Sequence, residues 1–124
     1  GLHFLSAHEL ELAGKKLDLT DHGKFIADSV VCFAVFGERD AKYYLEDCCA
    51  ATENIILALQ AYGVGSCWVA GDKKSYAPAA RALLNVPEKY TLVSLVPAGY
   101  PADITLQKKK DLDTIVFFEA FEQE

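Results

Sequence analysis

The sequence predicts a three-layer α/β or α+β domain. Two observations lead there. Apolar runs fall at Ser29–Gly37, which is continuous and rich in β-branched and aromatic residues, and at Ser66–Gly71 and Tyr90–Pro101. Between them lie Glu38–Gly63, whose apolar residues recur every three or four positions, and Lys73–Pro87, which carries a second helix. Period-two or continuous apolar runs read as strands and the longer period reads as helix; strands alternating with helices bury their faces as stacked layers. At 124 residues and 52% hydrophobic content, the chain forms one domain with a sizeable core.

In order along the chain, Leu2–Ala7 alternates loosely and reads as a short strand. Ser6–Leu17 carries a capping signal, Ser6 with Glu9 three residues on, and so a short helix is expected. Asp18–Lys24 is polar and turn-rich, hence a loop. Ser29–Gly37, "SVVCFAVFG", is a strand buried on both faces. Glu38–Gly63 is the longest element, with Tyr44, Cys48, Ala51, Ile55, Leu59 and Tyr62 on one stripe. Tyr43, Leu45, Cys49, Ile56, Leu57 and Ala58 widen that stripe, so burial on more than one side is expected. Asp40 is the candidate N-cap, and Gly63 stands where a left-handed residue would end the helix. Ser66–Gly71 is a short strand, and the next helix starts near Pro78, a residue favoured early in helices. Tyr90–Pro101 is a buried strand closed by a Gly-Tyr-Pro turn. The closing "DLDTIVFFEAFEQE" fits a strand or a helix face equally.

Charge and residue types narrow the function classes. A formal charge of −6 makes nucleic acid a poor partner. No apolar stretch is long enough to span a bilayer, so no membrane partner is expected. Cys32, Cys48, Cys49 and Cys67 make no C-x-x-C pair and sit in apolar runs, as reduced, buried cysteine does. That usage suggests a reducing compartment, the cytoplasm. His3, His8 and His22 lack ligand spacing, and no metal site is expected. Asp47 and Glu53 on the long helix read as flank carboxylates rather than as catalytic acids.

Two features remain. "GVGSCWVAG" holds Gly63, Gly65 and Gly71, but its order is helix, glycines, strand, the reverse of a dinucleotide fingerprint. Gly63 reads as a cap, Gly65 as a tight turn and Trp68 as core or interface packing. Gly71 ends a strand, where backbone can approach a flat ligand and its N–H can donate. The run Lys108-Lys109-Lys110 is either a solvated face or a local anion site suited to phosphate.

These residues carry a resemblance. The chain resembles the FMN-dependent nitroreductase family through "YYLEDCCAATENIILALQAYGVGSCWVAG", "LLNVPEKYTLVSLVPAGYP" and "KKKDLDTIVFFE". The resemblance implies an α+β three-layer sandwich, a central mixed sheet flanked by helices. It also implies an intertwined homodimer with the long helix at the subunit interface and FMN bound there. In that register Ala70 and Gly71 meet the flavin ring near its redox-active nitrogen, and Lys108, Lys109 and Lys110 meet the phosphate. Family members carry an additional N-terminal region with further flavin-contacting motifs. Residues 1–124 are therefore expected to be a single nitroreductase-like domain, N-terminally incomplete.

The implied activity is electron transfer from NAD(P)H, the co-substrate, through FMN to a small-molecule acceptor such as a nitroaromatic or quinone. No side chain need act as nucleophile or base, because the cofactor carries the chemistry. Two rival readings are a non-catalytic dimeric remnant without flavin and a redox or metal module built on the cysteines.

Overall fold

The spine of the sheet is β5 (Tyr90–Gly99), whose residues Leu92–Ala98 are all buried. The computed structural model of the chain describes residues 2–5 and 24–121. The helix expected at Ser6–Leu17 and most of the loop after it lie outside the described residues. One edge of β5 pairs with β2 (Val31–Glu38), which in turn pairs with β1 (Leu2–Leu5). The other edge takes two short strands, β3 (Gly65–Ser66) and β4 (Val69–Ala70). Every pairing among the described residues is antiparallel, so the expected mixed sheet has no parallel pair there.

A bulge on β5 sorts side chains between the layers. Val35 faces Ser94 and Phe36 faces Leu92, which leaves Val93 without an opposite residue. One face of the sheet therefore presents Cys32, Ala34, Phe36, Leu92 and Leu95, packed with Ile26, Ala77 and Ala80. Ile26 comes from a 3-10 turn at Lys24–Asp28, and the two alanines from helix α2 (Ala77–Leu83). The opposite face presents Val35 and Val93 to helix α1 (Tyr44–Ala61), where Cys48 is buried and Tyr44, Leu45, Cys49 and Ile55 pack around it. Ser94, also buried, faces this layer and hydrogen-bonds Thr52 of α1 at 2.7 Å. Helix, sheet and helix are the three layers the sequence predicts.

Both ends of α1 have local causes. Its start differs from expectation. The N-cap is Tyr43, not Asp40, because Ala41 N–H bonds Glu38 O and Tyr44 N–H bonds Ala41 O, so residues 38–44 form turns first. Its end is as expected. Gly63 has φ +72°, its N–H reaches Gln60 O, and Val64 N–H reaches Leu59 O, both at 3.0 Å. Those two bonds are the Schellman arrangement, which needs a residue free to be left-handed. Pro78 falls in the first turn of α2, also as expected.

Burial of α1 departs from its apolar sequence. Within this chain only Cys48 and Thr52 are buried on it, whereas Leu57 is 58% and Tyr62 85% exposed. Its second apolar side is uncovered. The closing segment is likewise neither of the forms expected. Among its described residues, through Phe121, it is irregular beyond a 3-10 turn at Leu112–Thr114, and Phe118 and Phe121 are exposed, as are Ile104 and Leu106 before it. A short amphipathic segment takes regular form only when its apolar face has something to pack on.

Candidate functional site

The loop that ends in Gly71 begins as one strand with a break. Gly65 faces Gly99, Ser66 faces Ala98, Val69 faces Leu95 and Ala70 faces Ser94, all in a single register. The break falls at Cys67 and Trp68, beside Pro97. Cys67 N–H donates to Pro97 O at 3.2 Å, but proline has no N–H to return. The strand expected at Ser66–Gly71 is thus present, interrupted for a chemical reason. Gly65 lies in β3 rather than in a tight turn.

The same alternation fixes which amides face outward. In an antiparallel ladder, bonded and non-bonded pairs alternate along a strand. Cys67 and Gly71 both donate to β5, Gly71 N–H to Val93 O at 2.9 Å. Ala70 therefore occupies a non-bonded position, and its N–H and C=O point away from β5, off the sheet edge. The N–H of the Ala70–Gly71 peptide, expected to be offered to a ligand, is instead used within the sheet. The donor presented outward is that of Ala70.

Gly71 is glycine because of packing. An added Cβ would lie 2.7 Å from Leu92 Cγ and 2.9 Å from Leu92 Cδ2. Gly71 is buried, and Leu92 is fully buried beneath it. The bulged Val93 carbonyl accepts a second amide, Asp72 N–H at 3.2 Å. Lys74 N–H then closes a turn onto Gly71 O at 3.2 Å, with Lys73 left-handed at φ +56°.

Two tyrosines tie this turn to the layers on either side. Tyr44 Oη of α1 donates to Asp72 Oδ1 at 3.1 Å. That bond, with burial and the nearby carboxylate charge adding to it, raises the Tyr44 hydroxyl above its usual pKa. Tyr76 Oη, just before α2, donates to Ala70 O. Burial raises the Tyr76 hydroxyl too. Sequence reasoning placed Tyr44 on the helix stripe and missed its bond. The signal available was Asp72, directly after the Gly71 it singled out.

The other candidates separate. Lys108, Lys109 and Lys110 are exposed on an irregular stretch and form no ion pair with described residues. Among the described residues no hydrogen bond or ion pair joins them to Ala70 or Gly71. Asp47 and Glu53 are exposed, as flank carboxylates are. Among the cysteines, Cys32 and Cys48 are buried, Cys49 is half-buried and Cys67 is exposed, so uniform burial fails at Cys67. Burial pushes the Cys32 thiol up to about 12, far from any reactive thiolate. No group of described residues could hold a metal ion. No described helix is long and apolar enough to cross a membrane. Trp68 is 39% exposed, in the break between β3 and β4 rather than in the core.

Comparison with known proteins agrees with this architecture. Residues 3–100 match the family model described as "Nitroreductase family". A protein of Archaeoglobus fulgidus named as an NADH dehydrogenase/NAD(P)H nitroreductase is 32% identical over 107 residues, 82% of this chain and 62% of that protein. A protein of the same name from Methanothermobacter thermautotrophicus is 27% identical, covering 82% of this chain and 56% of its own length. The chain thus spans about three fifths of these two curated relatives. Among solved structures, an FMN-dependent nitroreductase from Clostridium difficile R20291 superposes with a TM-score of 0.81 at 21% identity, covering 97% of this chain and 76% of that one.

Proposed function

Because this chain belongs to the nitroreductase family, we propose that it is part of an FMN-dependent oxidoreductase that passes electrons from NAD(P)H to a nitroaromatic, quinone or similar acceptor. The observation that carries the reading is the outward Ala70 amide at the end of β4, held where the family resemblance puts the flavin ring. The residues present fit the group. Ala70 offers a donor with no partner in the sheet, and the lysine run offers three exposed ammonium groups to a phosphate. The printed names of the relatives support the same activity, FMN in the Clostridium protein and NAD(P)H in the archaeal ones.

The redox chemistry, hydride in and electrons out, is the flavin's own. The work of this chain is to bind and orient it. Ala70 N–H anchors the ring, and Lys108, Lys109 and Lys110 neutralise the phosphate. Gly71 lets the strand lie close on β5, so that the donor stands at a fixed edge.

A homodimer belongs to the same reading. The side of α1 that this chain leaves exposed carries Leu57, with Tyr62 just past its end, side chains that a partner could pack on. A second copy of the chain would cover it and the apolar closing segment.

The test is direct. The full-length protein is purified, its visible spectrum recorded, and FMN added while NAD(P)H oxidation is followed with a quinone or nitroaromatic acceptor. Flavin absorption bands and acceptor-dependent turnover are expected. A colourless protein that takes up no added FMN would leave the non-catalytic remnant as the reading instead.

A further inference from the structure

We propose that Tyr44 and Tyr76 are positioning residues that aim the Ala70 N–H and, through it, set the redox potential of the bound flavin. The proposal rests on the FMN reading above and concerns residues that reading does not use. The two hydroxyls reach one turn from opposite layers. Tyr44 comes from α1 on one face of the sheet, and Tyr76 precedes α2 on the other. Tyr76 Oη holds Ala70 O, the carbonyl of the residue whose N–H faces outward. Tyr44 Oη holds Asp72 Oδ1, two residues further along. Between them Gly71 and Asp72 N–H both end on the bulged Val93 carbonyl. The Ala70 peptide edge is thus pinned at the sheet and at both flanks.

This wiring has a consequence for a bound flavin. Tyr76 donates to Ala70 O, and the N–H of that same peptide, on Gly71, donates to Val93 O. Both bonds hold the Ala70–Gly71 peptide; the Ala70 N–H belongs to the preceding Val69–Ala70 peptide, so they fix its direction through the Ala70 backbone rather than polarise it. A rigid donor beside the redox-active ring nitrogen favours the oxidised flavin, in which that nitrogen is an acceptor. It does less for the reduced flavin, in which the nitrogen carries a proton. Loosening the donor therefore weakens the oxidised form more and raises the potential. A residue needed only for packing would weaken both forms alike and leave the potential where it was.

The experiment uses the full-length protein with FMN as the probe. Tyr44→Phe and Tyr76→Phe each remove one hydroxyl and keep the ring. Asp72→Ala removes the partner of Tyr44. Near-ultraviolet circular dichroism establishes that each variant is folded, and because the two tyrosines make separate bonds, either one alone tests the idea. FMN affinity is expected to fall about 3- to 10-fold in each, the scale of one hydrogen bond, and the midpoint potential to rise. Tyr44→Phe combined with Asp72→Ala should be no worse than either single change, since both break one bond. An unchanged potential, wild-type affinity in both tyrosine variants, or additive losses from Tyr44→Phe and Asp72→Ala would each overturn the proposal. Failure of the wild-type protein to bind FMN would overturn the FMN reading first and this one with it.

Discussion

Replacing Gly71 by alanine puts a methyl group where Leu92 already stands. The new Cβ would sit 2.7 Å from Leu92 Cγ, 2.9 Å from its Cδ2 and 3.2 Å from the Val93 carbonyl carbon. Leu92 has no room to retreat. It is fully buried in the cluster with Cys32, Ala34, Phe36 and Leu95. Gly71 φ is not among the positive values, so the penalty is steric rather than conformational. Overpacking a core costs about 1–3 kcal/mol. Reduced freedom of the unfolded chain returns about 0.4–1 kcal/mol. A net loss of roughly 1–2 kcal/mol is expected, which lowers Tm by about 3–8 °C in a domain of this size. Thermal melts of wild type, Gly71→Ala, Leu92→Ala and the double variant measure it. The double variant should be less destabilised than the sum of the singles, because Leu92→Ala removes the atoms that collide. FMN affinity should fall as well, since the displaced backbone carries Ala70. A Gly71→Ala protein as stable as wild type, or strict additivity with Leu92→Ala, would refute the packing account.

Three further outcomes follow from the same geometry. Thr52→Val deprives Ser94 of its 2.7 Å partner in a site with no exposure; denaturant unfolding should show a loss of about 1–3 kcal/mol, much reduced when Ser94→Ala accompanies it. Cys32 titrates near 12 folded against 9.0 unfolded, so its contribution is fully present below pH 9 and is lost as pH rises toward 12. By pH 11 that loss reaches roughly 2–3 kcal/mol, and Cys32→Ala should flatten the fall in a pH series of denaturant midpoints. Changing Lys108, Lys109 and Lys110 together to glutamine should weaken FMN binding about 3- to 30-fold at low salt and riboflavin binding hardly at all; equal effects on both ligands would remove the lysines from the phosphate.

What the sequence made legible depended on whether the deciding interaction was local. β5 and β2 are continuous apolar runs because both faces are covered, and such runs read directly as buried strands. Gly63 announced its own left-handed geometry, and Pro78 its place in α2. Asp40 misled because turns at Glu38–Tyr44 delay the helix beside a distant tie, Arg39 N–H to Lys89 O fifty positions away. The break at Cys67–Trp68 is caused by Pro97 across the ladder, thirty positions away from Cys67, and no single-segment pattern reveals it. The same holds for the site. Gly71 stood out as a strand-end glycine, but which amide faces outward is set by the β5 register, and the role of Tyr44 by a bond spanning α1 and the Asp72 turn. The apolar surplus on α1 and in the closing segment was visible in composition. Among the described residues much of it stays exposed.

The central claim is that Ala70, and not Gly71, offers its amide to FMN. The most direct measurement is an amide proton–nitrogen correlation spectrum of the full-length protein during FMN titration. The Ala70 cross-peak should move and saturate together with flavin fluorescence quenching, while Gly71 N–H remains protected from exchange with or without FMN by its bond to Val93 O. Saturation of FMN with the Ala70 cross-peak unmoved, or a Gly71 amide that exchanges freely until FMN arrives, would contradict the account.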